Sequence, residues 1–175
     1  MGPVRIRPAT RADLRLLGGI EATGDEQFRE HFGYDPGFGE PPSGEHRAAQ
    51  PGFLLVVEED GEVVGFAHVL EVEGTAHLEQ VSVRSDRQQR GLGRALVEAV
   101  EAEAARRGHG VLTLMTYAEV PWNAPFYATC GFAETEPTTR FELRLQAVER
   151  DLGLDRHGRR VLMVAHLTPQ EVTGG

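Results

Sequence analysis

The sequence predicts an α/β (α+β) fold, a mixed, mostly antiparallel central sheet with helices on both faces. Three observations predict it. Strand-like runs at Phe53–Glu58, Val63–Val72 and His77–Arg84 are joined by the two-residue turn signals Asp60-Gly61 and Glu73-Gly74, the pattern of an antiparallel meander. A helix-like run ending at Arg107 then leads to a short apolar strand, Val111–Met115, and a strand reached through a crossover helix lies parallel to the one before it. The whole chain reads β-α-(loop)-β-β-β-α-β-α-β-(α)-β, with no internal repeat, heptad run or linker, and 175 residues suit one domain, 1–175.

Each element has a local cause. Val4-Arg5-Ile6-Arg7 alternates as an edge strand does, and Thr10 with Asp13 three residues later resembles a capping box for a helix whose apolar face is Leu14, Leu16, Leu17 and Ile20. From Thr23 to Gln50 the chain turns rich in Gly, Pro and acidic residues, with Phe28, Phe32, Tyr34 and Phe38 interspersed. That is too long for a plain connection and predicts a functional loop, a short helix, or both. Leu92, Leu96, Ala99, Val100 and Ala104 form one helical stripe, with Arg106 and Arg107 at its C-terminal turn and Gly108 as its stop. Pro121–Thr129 reads as a short helix with Pro121 in its first turn, and Phe132 onward as extended chain. Phe141–Leu152 reads as an amphipathic helix ending near Gly153. Arg159–Leu167 reads as the last strand, with its Val161–Leu167 stretch an exposed edge that could pair a homodimer, before a frayed Thr168–Gly175.

Composition narrows the function. The formal net charge of -9 argues against nucleic acid and favours a cationic partner, although it serves solubility equally well. The apolar runs are too short to span a bilayer, the N-terminus lacks a signal-peptide core, and Gly2-Pro3 does not fit myristoylation, so no membrane partner is expected. The lone cysteine, Cys130, reads as a small buried hydrophobe and suits a reducing cytoplasm. The seven histidines show no ligand spacing, so no metal is expected, and the absence of lysine reads as compositional bias.

Gln88-Gln89-Arg90-Gly91-Leu92-Gly93-Arg94 joins a strand to a helix. First-turn N–H groups have no intrahelical partner, the helix dipole adds positive charge, and glycines let an anion reach the backbone. The segment is therefore a candidate pyrophosphate cradle. No Gly-Lys-Ser/Thr follows it, and its glycines are too close together for the dinucleotide fingerprint.

Gln88-x-x-Gly91-x-Gly93 after a strand resembles the acyl-CoA signature of the GNAT superfamily of N-acetyltransferases. Asn123-Ala124-Pro125-Phe126-Tyr127-Ala128-Thr129-Cys130-Gly131-Phe132 is similar to that family's second landmark, a tyrosine-bearing helix followed by a Gly-Phe step. The resemblance is strongest over Phe53–Phe132. It implies a GNAT-like fold, acetyl-CoA as cosubstrate, and an amine acceptor that is a small molecule or a peptide. It implies that main-chain groups of Val81 and Val83 pair with the pantetheine arm and that the amides from Gln89 to Arg94, through Arg90, Gly91, Leu92 and Gly93, hold the pyrophosphate. It further implies that Tyr127 is the general acid at the CoA sulfur. Asn123 stands one turn before Tyr127, whereas the family's pantetheine-contacting asparagine stands about two.

Acetyl transfer needs a neutral amine, donors for the oxyanion and a proton for the departing thiolate. Glu79, on the strand before the loop, is the first candidate base. Glu119 or water is the rival, and His77 and His68 stand behind them. Arg87, Arg90 and Arg94 could meet phosphates. Trp122 and the loop aromatics could wall an acceptor pocket or pack the loop down. Asp25, Glu26, Glu30, Asp35 and Glu40 could draw in a cation or form a solvated face. The expected activity is acetyl transfer from acetyl-CoA to a primary amine by direct attack in a ternary complex, the alternative being a non-catalytic CoA-sensing module.

Overall fold

The computed structural model describes residues 2–168; the C-terminal tail expected to fray, apart from Thr168, lies outside the described residues. Seven strands, β1 (Val4–Pro8), β2 (Gly52–Glu59), β3 (Glu62–Val72), β4 (Thr75–Val83), β5 (Val111–Tyr117), β6 (Ala133–Thr135) and β7 (Arg160–His166), form one sheet in the order β1-β2-β3-β4-β5-β7-β6. β1 with β2, β2 with β3, β5 with β7 and β6 with β7 pair antiparallel, whereas β4 with β5 pairs parallel, as the crossover rule requires. The helices are α1 (Leu14–Phe32), α2 (Gly44–Ala48), α3 (Leu92–Arg106), α4 (Ala124–Thr129) and α5 (Arg140–Asp151). The chain divides into two compact units, Met1–Leu70 with Glu79–Val97, and Glu71–Leu78 with Glu98–Gly175.

In the first unit, Asp60 and Gly61 both take positive φ, the geometry whose twist suits a two-residue hairpin. Leu17 and Ile20 of α1 pack on Val56 and Phe66 of the sheet, with Ala9, Leu14 and Leu54 at the margin. The helix start departs from expectation. Asp13 flanks α1 and does not lie within it, because its carboxylate is taken by Arg7 at 2.6 Å and by the Thr10 N–H and hydroxyl. Half of the expected box therefore forms, with Asp13 reaching back to Thr10. The helix also runs ten residues further than the sequence suggested, through Thr23–Phe32, before Gly33 ends it in the left-handed region. Phe28 and Phe32 recur at helical spacing and stack on each other, and Phe38 and Tyr34 join them, so these aromatics pack the loop onto the helix.

In the second unit, β7 runs between β5 and β6 and is paired on both sides. The expected exposed edge at Val161–Leu167 is thus an interior strand, because the short β6 covers it; the sheet's outer strands are β1 and β6. Thr139 and Glu142 form a reciprocal capping box that starts α5, and Gly153 in the left-handed region follows its end. Pro125, not Pro121, occupies the first turn of α4. Pro121 lies in the preceding turn, since α4 starts only at Ala124.

Each unit buries one neutral histidine. Arg47 can only donate, so His68 Nδ1, 3.1 Å away, accepts and the neutral ring carries its proton on Nε2. His77 Nδ1 lies 2.9 Å from Thr113 Oγ1, with Phe141 edge-on to the ring. Both pKa values fall to about 4, through burial first and, for His68, the nearby Arg47 charge next. These rings are core groups and poor bases for the site.

The unfolded chain takes up these two protons near pH ~6.5. The native state takes them up only near pH 4. In that window the unfolded state binds more protons, so stability rises with pH, is complete above ~6.5 and is lost toward 4. Urea unfolding at steps from pH 7.5 to 4.5 should show the unfolding free energy, and with it the midpoint, falling, the former by up to about 3 kcal/mol per ring. His77→Gln should flatten the slope.

Candidate active site

Glu59 ends β2, and alternation along the strand places it on the face of Leu55 and Val57. Its carboxylate is 1% exposed. It accepts from Arg87 at 3.1 Å and from Arg90 at 3.2 Å and 3.3 Å. Across the Asp60-Gly61 turn, Glu62 takes Arg84 at 2.7 Å. The hairpin carboxylates therefore hold the segment between β4 and α3 at three arginines. Within that segment a 3₁₀ turn (Ser85–Arg87) is followed by Gln89 at φ 60 and Gly91 at φ 80. Gln88 closes the loop on its own strand, donating from Nε2 to the Val83 carbonyl at 3.1 Å. A Cβ on Gly91 would meet nothing within 4 Å, so the space before α3 is open to a ligand. The Ala95 N–H bonds the Gly91 carbonyl, which begins the helix ladder. N–H groups ahead of it are first-turn donors of the kind that bind anions.

β4 leads into this loop. Its parallel register with β5 covers Ala76↔Leu112 and His77↔Thr113. The Arg84 N–H points to Val64 on β3, so by strand alternation the main-chain groups of Val83 and Val81 point the opposite way. Val81 is half-buried, Val83 buried and Glu79 exposed.

In the second unit, α4 ends in a Schellman motif. The Phe132 N–H bonds the Tyr127 carbonyl at 3.1 Å and the Gly131 N–H bonds Ala128 at 3.2 Å, with Gly131 at φ 94. The motif's apolar contact is Phe132 on Tyr127, ring centroids 5.8 Å apart. The Tyr-x-x-x-Gly-Phe spacing is thus a helix stop that fixes the tyrosine. Burial pushes the Tyr127 phenol well above its ordinary value, and the Cys130 thiol adds to the shift. Asn123 precedes α4, and its side-chain oxygen accepts the Tyr117 N–H at 3.3 Å, tying the helix to the end of β5.

Residues 21–132, more than half of the chain, match the acetyltransferase (GNAT) family. The chain belongs to that family. The structure is similar to the ribosomal-protein-S18-alanine N-acetyltransferase of Escherichia coli, at 22% identity and TM-score 0.64, over 99% of each chain. It is similar to the PaiA N-acetyltransferase of Thermoplasma acidophilum in complex with coenzyme A, at 15% identity and TM-score 0.70, over 94% of this chain and 99% of that one. It also resembles N-acetylglutamate synthase of Neisseria gonorrhoeae, complexed with coenzyme A and N-acetyl-glutamate, at 18% identity and TM-score 0.65, over 96% of this chain and 36% of that one.

As a GNAT acetyltransferase, the chain is an acetyl-CoA-dependent enzyme. Its sequence-predicted positions fall in two groups. Glu79, Val81, Val83 and Gln88 to Arg94 lie in order from β4 to α3 in the first unit, and Asn123, just before α4, and Tyr127, on α4, lie in the second. Cys130 caps α4 half-buried rather than buried. Glu119 is exposed after β5. Among the described residues, no group of three or more His, Cys, Asp or Glu is placed to hold a metal, and no helix is long and apolar enough to cross a membrane. Sequence reasoning missed Glu59. Its only local signal is a carboxylate at the end of an apolar strand, beside a turn where acidic residues are ordinary.

A side chain at Gly131 would enter open space, so Gly131→Ala should cost only the left-handed conformation, about 1 kcal/mol. Thermal unfolding should report a lower Tm of a few degrees. A change to Asn, which tolerates that conformation, should lose less.

Proposed function

We propose that this chain, acting as one domain over 1–175, transfers acetyl from acetyl-CoA to a primary amine by direct attack in a ternary complex. The observation that carries the reading is the loop before α3, whose left-handed Gln89 and Gly91 leave first-turn amides open to an anion. In this reading the amides from Gln89 to Arg94 bind the pyrophosphate. The main chain of Val81 and Val83 pairs with the pantetheine arm as an added strand. Asn123 acts through the end of β5, to which it is tied.

The amine nitrogen attacks the thioester carbon, the N–C bond forms, and collapse of the tetrahedral intermediate breaks the C–S bond. Glu79, exposed on β4, takes the amine proton directly or through water, with Glu119 the rival. Tyr127 gives its phenolic proton to the departing thiolate. Its raised pKa keeps the phenol protonated at neutral pH, so it holds a proton to give. The net charge of -9 favours a cationic amine. The names of similar proteins include a protein alanine and an amino-acid product, which keeps both a peptide and a small-molecule acceptor in view. A reducing cytoplasm suits a lone cysteine, Cys130.

Thiol release from acetyl-CoA, measured against a panel of small amines, amino acids and peptide N-termini, tests the proposal. Turnover should appear with one amine class and fall about 100-fold or more in Tyr127→Phe, with CoA affinity retained. CoA binding by calorimetry without turnover on any amine would instead support the sensing-module alternative. Gly91→Glu should abolish the thermal shift given by CoA. It places a β-carbon on a residue at φ 80 and a carboxylate where the phosphates must sit. A retained shift would move the donor site elsewhere.

A further inference from the structure

We infer that Glu59 is a positioning residue for the acyl donor: it holds the pyrophosphate loop in its anion-binding shape by tying down Arg87 and Arg90, and it keeps both guanidinium groups off the phosphates. This rests on the proposed role of the loop in CoA binding. Arginines beside a phosphate loop suggest direct phosphate contacts, yet here two of them turn away to one buried carboxylate. Arg87 ends the 3₁₀ turn and Arg90 precedes Gly91, so the two ties bracket the left-handed Gln89. A non-glycine residue adopts that conformation only where its surroundings over-determine it. Glu59 sits on β2, anchored by pairing with β1 and β3, so the restraint comes from the sheet and not from the loop itself. The carboxylate in turn needs the arginines, because a buried charge stripped of its partners is strongly unfavourable. Arg87 also lies 3.7 Å from Glu62 and 3.6 Å from Asp86, so carboxylates from both the hairpin and the 3₁₀ turn surround it.

Direct phosphate contact and the tether predict opposite signs. If Arg87 and Arg90 grip the phosphates, removing Glu59 frees them and deletes a negative charge near a polyanion, so CoA should bind more tightly. If Glu59 positions the loop, its loss disorders the amides and CoA should bind more weakly.

The test is calorimetry of CoA and steady-state kinetics on the full chain with Glu59→Gln. Expected are a Kd and an acetyl-CoA KM raised on the order of tenfold, with a much smaller change in kcat. S-Acetylpantetheine, which carries no pyrophosphate, should lose far less in kcat/KM than acetyl-CoA does. An unchanged or lowered Kd overturns the inference, and so does an equal loss with both donors, which would mark Glu59 as a fold element only. Should Glu59→Gln fail to fold, Glu59→Asp serves. It keeps the charge and shortens the reach, so a raised Kd supports the tether and an unchanged one overturns it. A wild type that binds no CoA sinks the donor reading itself, a result visible before any variant is made.

Discussion

The backbone from Arg84 to Leu92 holds a left-handed residue at Gln89 and another at Gly91, and the proposed donor site rests on that shape. For glycine it is free; for glutamine it costs about 1 kcal/mol or more. The surrounding contacts supply the compensation. Glu59 and Glu62 take three arginines from one side, Gln88 bonds back to Val83, and the Gly91 carbonyl starts the α3 ladder. Because these restraints exist before any ligand arrives, the ordering of the loop is not charged against binding. The hairpin carboxylates also offset local positive charge, and in the proposed reading attraction to phosphate is left to oriented amides and the helix end.

The second unit solves a different problem, that of presenting one phenol. A helix of six residues has little intrinsic stability. Here it is held at both ends: Asn123 bonds the Tyr117 N–H at the start, and the Schellman motif at Gly131 closes the finish. The Phe132 ring that completes the motif also packs on Tyr127. One set of contacts therefore stops the helix and packs one side of the Tyr127 ring. The buried histidines belong to the same logic of rigid support. Thr113 and Phe141 enclose His77, and Arg47, itself bonded to Glu21, faces His68.

The strand order through β5, the two tight turns, the crossover and the glycine loop were legible because they rest on short-range signals: alternation, Asp-Gly and Glu-Gly pairs, and glycines opening a helix. The Tyr-to-Gly-Phe step was legible through its likeness to the family's second landmark, and the structure shows the Schellman motif beneath it. The errors arose where distant chain decides. Thr10 looked like a cap until Arg7 claimed Asp13 from β1. α1 outran its polar, glycine-bearing sequence because the aromatics beyond it had something to pack against. β7 looked like an edge because nothing nearby announces a three-residue partner. The pairing of Arg87 and Arg90 with Glu59 was equally hidden, because that carboxylate lies about thirty residues earlier.

The sequence by itself determined the fold class, because turn chemistry, periodicity and helix termini are local and survive in one dimension, and the family, because its two motifs are short stretches of chain. Only the tertiary structure decided which charges are spent inside the molecule and which histidines are shut in the core. It also decided that Glu59 stands behind the loop. Burial and ion pairing join residues that share no pattern along the chain, and their energies depend on a desolvation that exists only once the sheet has formed.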